Sequence, residues 1–272
     1  MNETFNFNRF WTYFKYDLKQ MWRNHSKAAI LIGGASAIFY VVWVLMSLVF
    51  AQRWTAPPIE ARAVVFVIAY AILMIYAAHF YGHLTEKKAG SSWLMIPASK
   101  TEKFVSMLLL TLIVVPLLFF AVYFVLDGFL SLVDPTYGKA LVGGMSGLYA
   151  QFIEGITRFG DESPILLTPS SIIFPSIVSI FCNLLYFLLC GICFKKNKIV
   201  GAFAILFGLS LVSSLVMGLF LPQFVSNIEI SLDEEQMLHW AVNLMNISVA
   251  VSCLITIGLG WGVWRRIKTI QH

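Results

Sequence analysis

Apolar positions along this chain follow two patterns. Six nearly continuous runs lie at roughly 28–51, 63–82, 104–126, 172–194, 199–221 and 241–263. About twenty helical residues cross a hydrocarbon core of about 30 Å, so each run is long enough to span a membrane. Ahead of them Phe7, Phe10, Trp11, Phe14, Leu18, Met21 and Trp22 recur at spacings of three and four, with Arg9, Lys15, Lys19 and Arg23 mostly off that stripe. This periodicity predicts an amphipathic helix over about 7–25, lying in the membrane interface with its rings at headgroup depth. The alternative is a soluble helix packed on a cytosolic domain, for which the chain has no other candidate segment. The first long run begins near Ala28 and is too long for the apolar core of a signal peptide. Together the patterns predict a single all-α domain over 1–272: an integral membrane bundle of six transmembrane helices with an N-terminal interfacial helix.

Charge orients the spans. Of nineteen lysines and arginines, fifteen fall in the N-terminal segment, the second and fourth loops and the C-terminal tail, and four in the alternate loops. The positive-inside rule then puts both termini in the cytoplasm. Ten of the fourteen acids lie on the opposite side. Only 12% of residues are charged against 59% hydrophobic, where a soluble domain carries about 25% charge. The net charge of +5 sits in short blocks between spans, which marks orientation and not a nucleic-acid footprint. The lipid bilayer is the expected partner, and no nucleic acid. All four cysteines (Cys182, Cys190, Cys193 and Cys253) lie in apolar runs and read as small buried hydrophobes.

Local signals punctuate the bundle. Pro116 removes an intrahelical bond in the third span and predicts a bend. Asp127 follows at that span's outer end, where a water-interface position accounts for its charge. The long external segment 127–171 carries turn signals around a short helix predicted at 147–159. Lys195, Lys196 and Lys198 form a tight turn, so the fourth and fifth spans must pair as an antiparallel hairpin. Pro222 opens the last external segment, and Ser231 to Glu234 matches a capping box that starts a short helix feeding the sixth span. Gly258 and Gly262 permit close helix approach.

The longest cytoplasm-facing loop, YGHLTEKKAGSSWLMIPASKTEKF over Tyr81 to Phe104, combines several features. Ser99 and Glu102 form a capping box that starts the third span at about Lys100. Trp93, Leu94, Met95 and Ile96 are four successive apolar residues between Gly90 and Pro97. They are too few to span and too many to leave in water. They either dip into the interface or the base of the bundle, or meet another protein. Lys87 and Lys88 suit lipid phosphate or a partner's acidic groups. His79, His83 and Glu86 share one helical face, but no fourth ligand is evident and no metal is expected.

The order of polar-basic segment, LMIPASKTEKF and third span resembles the membrane subunits of bacterial ABC transporters of the type-two exporter class. Span number, orientation and the N-terminal amphipathic helix extend the resemblance over the chain, while the motif itself covers about 83–104. In that family a coupling helix between the second and third spans docks into a cleft of a cytosolic ATPase. The resemblance puts that role on Thr85, Glu86, Lys87, Lys88, Trp93, Leu94, Met95 and Ile96. It also implies a second permease copy or a sister permease as partner. The chain has no G-x-x-x-x-G-K-[ST] segment, so ATP would be bound by the partner ATPase and this chain needs no cofactor. Nor does it contain H-E-x-x-H or G-x-S-x-G, so an intramembrane enzyme is not expected. A membrane scaffold or sensor component with the same fold is the alternative to transport.

Overall fold

A computed structural model describes residues 5–85, 93, 95–144, 169–229 and 234–269. The elements among these residues are helical: α1 (Phe7–Gly33), α2 (Ala35–Ala51), α3 (Ile59–Phe80), α4 (Lys100–Val133), α5 (Pro169–Cys193), α6 (Lys198–Glu229) and α7 (Glu234–Thr269), with short 3₁₀ turns at Gly82–Thr85 and Pro135–Tyr137. Helices α3 to α7 each contain a stretch long and apolar enough to cross a membrane. A sixth candidate arises if α1 and α2, which meet at a bend of 44°, are one broken span. This is the architecture of a multi-pass membrane protein. The helix predicted at 147–159 lies outside the described residues.

The chain divides into two compact units, Met1–Phe80 with Ile96–Ile165, and Tyr81–Met95 with Leu166–His272. In the first unit α1 starts at Asn6, whose side chain accepts from the N–H groups of Asn8 and Arg9. The helix then runs without interruption to Gly33, through the expected junction near residue 27. Residues 20–30 contain neither glycine nor proline, so nothing there stops a helix. The break falls at Gly34 instead, where a Cβ would lie 2.8 Å from the Ile30 carbonyl oxygen. Gly33 brings α1 close to α4, since a Cβ there would lie 3.0 Å from Val122 Cγ1.

Helix α4 accommodates Pro116 with a widened turn. Residues Leu110–Val114 form a π turn, and the Val115 N–H reaches back five residues to the Leu110 carbonyl. That widened turn lies just ahead of the proline, where its ring would otherwise crowd the preceding carbonyls. The helix also continues past Leu126 to Val133 and stops at Asp134-Pro135, where Asp134 caps the 3₁₀ turn. Between α3 and α4, Phe66 and Tyr70 pack on Phe119 and Phe120, and Phe66 also meets Tyr123 and Phe124. The ring centroids are 5.1–6.1 Å apart, normal for offset and edge contacts.

In the second unit α5 packs on α7, on α6 and on the Gly82–Thr85 turn. The α5–α6 connection is tight, with Asn197 left-handed at φ 50°. Tyr186 donates to the Ala202 carbonyl at 2.6 Å across the pair, as an antiparallel hairpin requires. Gly262 meets Leu189 of α5, with 3.3 Å from an added Cβ to Leu189 Cδ2, whereas Gly258 faces open space. Helix α6 continues through Pro222 to Glu229, so that proline does not end it. Helix α7 is continuous from Glu234, in place of a separate short helix and span. Ser231 and Asp233 lie outside the described residues.

Two glycines of the first unit should respond oppositely to substitution. Gly33→Val pushes α1 off Val122 and is expected to lower stability by about 1–3 kcal/mol, the usual range for overpacking. Gly128→Ala meets nothing within 4 Å and should raise stability by up to about 1 kcal/mol through helix propensity. Thermal unfolding in detergent compares them; equal effects would contradict the α1–α4 packing.

Candidate functional site

The α3–α4 connection is the segment that sequence patterning singles out. Its first part belongs to the second unit. Tyr81 and Leu84 are buried there, and the Gly82 carbonyl accepts both from Thr85 Oγ1 at 2.9 Å and from Lys198 Nζ. A 3₁₀ turn leaves carbonyls unpaired, and the lysine at the start of α6 supplies one of the missing donors. Glu86, Lys87, Lys88 and Leu94 lie outside the described residues, as do the side chain of His83 and hence the His79–His83–Glu86 set. Trp93 is buried at 7% exposure and Met95 is open at 82%. Of the described residues of the apolar patch, Trp93 is thus covered and Met95 is open. Ile96, half-buried, opens the return to the first unit.

In the first unit the expected capping box is present at the start of α4. Ser99 Oγ accepts from the Glu102 N–H at 3.2 Å, and Glu102 Oε2 accepts from the Ser99 N–H at 2.9 Å. Glu102 also does more than cap its own helix. Its carboxylate takes both Arg9 Nε (2.8 Å) and Arg9 Nη2 (2.7 Å), and the Asn6 N–H at 2.9 Å. A forked guanidinium–carboxylate pair fixes both distance and orientation. Eight residues further along α1, Asp17 accepts from Ser106 Oγ of α4 at 2.7 Å. Phe10, Tyr13 and Asp17 are buried, so this face of α1 is packed on protein.

At the other end of α4 lies a cluster that sequence reasoning missed. Asp127 is buried within the protein, not exposed at its margin. It accepts from Arg62 Nη1 (3.3 Å), from the Tyr137 hydroxyl (2.7 Å) and from the Leu141 N–H. Arg62 Nη2 donates to the carbonyls of Tyr137 and Lys139, at 3.2 and 3.0 Å. The guanidinium also stacks on the Tyr137 ring, 4.0 Å from its centroid. Burial, then the bond to Asp127, pushes the Tyr137 phenol well above its ordinary pKa, so it serves as a fixed donor. Nearby, Asp134 Oδ2 accepts from the Tyr40 hydroxyl at 2.7 Å and the Trp54 indole at 3.1 Å, while Oδ1 accepts from Thr136. Burial acts to raise the Asp134 pKa, but hydrogen bonds from Thr136, Tyr40 and Trp54 outweigh it and hold it at about 2. The only early signal was an acid at a span end and an arginine before another.

These arrangements position helices; none of them pairs a nucleophile with a base. Among the described residues no group of His, Cys, Asp and Glu has metal-binding geometry.

Breaking one partner of a buried ion pair typically costs about 3–5 kcal/mol, whereas replacing both by apolar groups is often neutral. Arg62→Met should therefore destabilise the chain by that amount, and adding Asp127→Leu should restore much of it. Unfolding of single and double variants in detergent checks this, and additive losses would show that the two residues do not act together. A second test concerns acid. The folded pKa of Asp134 lies below the unfolded value of about 3.9. Its contribution is thus present above about pH 4 and is lost as the pH falls through about 2. The fluorescence difference between the native chain and Trp54→Phe should hold steady down to pH 4 and change below it. A transition above pH 5 contradicts the assignment.

No family model, curated protein or solved structure matches the chain, so no relative lends a role to these residues.

Proposed function

We propose that the chain is the membrane (permease) subunit of a bacterial ABC-type transporter, working in export and powered by a separate cytosolic ATPase. The ATPase docks on the segment between the second and third spans and binds the ATP. In this reading the protein has six spans in the cytoplasmic membrane, α1 and α2 making the first, with the start of α1 at the interface. Both termini face the cytoplasm, and the subunit works with a second copy or a sister permease.

One observation carries the reading beyond the sequence resemblance. The Gly82–Thr85 turn follows directly on α3 of the first unit, yet it packs with α5 and Lys198 of the second. A load applied there acts on α3 and α4 through the chain and on α5 and α6 through packing, which is what a coupling element must do. Buried Trp93 roots the segment and exposed Met95 is left for a partner.

The two residues separate in a test. Truncating a buried interface anchor typically costs about 2 kcal/mol or more, close to thirtyfold in affinity. Met95→Asp should lower ATPase co-purification by about that factor and uncouple ATP hydrolysis from transport, with the permease itself stable. Trp93→Ala should instead lower the permease's own unfolding temperature. If Met95→Asp retains full ATPase binding and transport, the segment is only a structural turn, and a membrane scaffold or sensor becomes the better reading.

A further inference from the structure

Helices α1, α3 and α4 line an open-sided cavity of about 210 Å³ that the transport reading does not use. Leu18, Trp22, Leu73, Phe80, Leu118 and Val122 typify its apolar wall. Three polar side chains lie on it, Ser26, His25 and Tyr76, and the last two are mutually bonded through Nδ1 and the hydroxyl at 3.0 Å. Water gains little in such a space, since a buried water needs two to four polar partners. The cavity follows α1 from Leu18 to Gly34, about 24 Å at 1.5 Å per residue. That exceeds the depth of one leaflet, about 15 Å or half of the hydrocarbon core. A slot of this length and chemistry accepts a hydrocarbon chain.

Charge selects the head that the chain carries. Leu18 and Trp22, at the basic end, and Ile30, Leu118 and Val122 further along all line the cavity and are exposed, so it is open from the side along its length. Lys15, Lys19 and Arg23 are exposed at spacings of four. At about 100° per residue, Lys19 and Arg23 stand one step round the helix from Leu18 and Trp22. Lys15 lies over the Trp11 ring, 5.3 Å from its centroid, which keeps its ammonium beside the exposed aromatic face. The carboxylates along the α1–α4 seam do not neutralise this stripe. Asp17 is buried and accepts from Ser106, and Glu102 is buried and holds Arg9.

We propose that this cavity binds one acyl chain of an anionic phospholipid and that Lys15, Lys19 and Arg23 hold its phosphate. The chain and the basic stripe are two weak signals that reinforce each other, as in other two-signal membrane attachments. The site stands independently of the ATPase reading.

Trp22 reports on occupancy. The full chain in detergent is titrated with phosphatidylglycerol or phosphatidylcholine brominated in mid-chain, and the Trp22 signal is isolated by subtracting Trp22→Phe. Phosphatidylglycerol should quench at on the order of tenfold lower mole fraction, since each basic residue near an anionic surface contributes appreciably. The triple variant Lys15→Gln, Lys19→Gln, Arg23→Gln should lose that preference while keeping quenching by both lipids. Ala29→Phe, which fills the slot, should reduce quenching by both. Ser26→Leu on the same wall serves if Ala29→Phe does not fold. Equal quenching of the unmodified chain by the two lipids would identify ordinary surrounding lipid and overturn the proposal. So would a folded slot-filling variant that quenches like the unmodified chain.

Discussion

One buried carboxylate sets the position of two helices. Glu102 is fully buried and receives two bonds from Arg9 and one each from the N–H groups of Asn6 and Ser99. A carboxylate offers about four lone-pair sites, and all four are occupied. Moving such a charge out of water costs several kcal/mol, which is offset only when every site is satisfied. The starts of α1 and α4 are therefore fixed against each other at their first turns. One turn further along α4, Ser106 holds Asp17, and Val122 later receives Gly33. The slot between α1 and α4 exists because these contacts hold the helices near each other at both ends, while apolar side chains line the space between.

The far end of α4 uses the same solution with other parts. Asp127 is held by an arginine from α3, a tyrosine hydroxyl and a backbone N–H, and the Arg62 guanidinium is spread over two carbonyls and a ring. In each cluster an acid of α4 takes an arginine from another helix and at least one backbone donor. A 34-residue helix that passes through a π turn would be poorly located by apolar contacts alone, because these have no direction. Two directional ion pairs at its ends locate it.

The apolar runs were legible because a span needs about twenty uninterrupted residues, and nothing else in such a sequence does. The capping box at Ser99 and Glu102 was legible because both partners lie within one turn. The long-range pairs were not. Arg62 and Asp127 are 65 residues apart, and Arg9 and Glu102 are 93 apart, so the arginines counted only as charges on one side or the other. A charge count places Asp127 in water because it carries no information about a partner. The continuity of α1 was missed for a related reason. Composition changes from amphipathic to wholly apolar near residue 27, but a helix responds to its local backbone preferences, and these change only at Gly33-Gly34. The π turn left no sequence signal except the proline that it accommodates.

Trp93 and Met95 show why the apolar patch resisted a single reading. Sequence alone left open whether it enters the interface or the base of its own bundle or meets another protein, and within one short segment Trp93 is buried while Met95 is exposed. A segment that transmits force needs both. Without an internal root a partner would only displace a loose loop; without an exposed apolar group it would have nothing to grip. Burial of a methionine side chain is worth about 1.5–3 kcal/mol relative to water, so an 82% exposed Met95 favours any arrangement that covers it. Its position two residues beyond a buried tryptophan limits the choice of cover. The Lys198 bond to Gly82 holds the start of the segment within its own unit. For the proposed coupling the useful geometry is an exposed Met95 two residues from a buried Trp93.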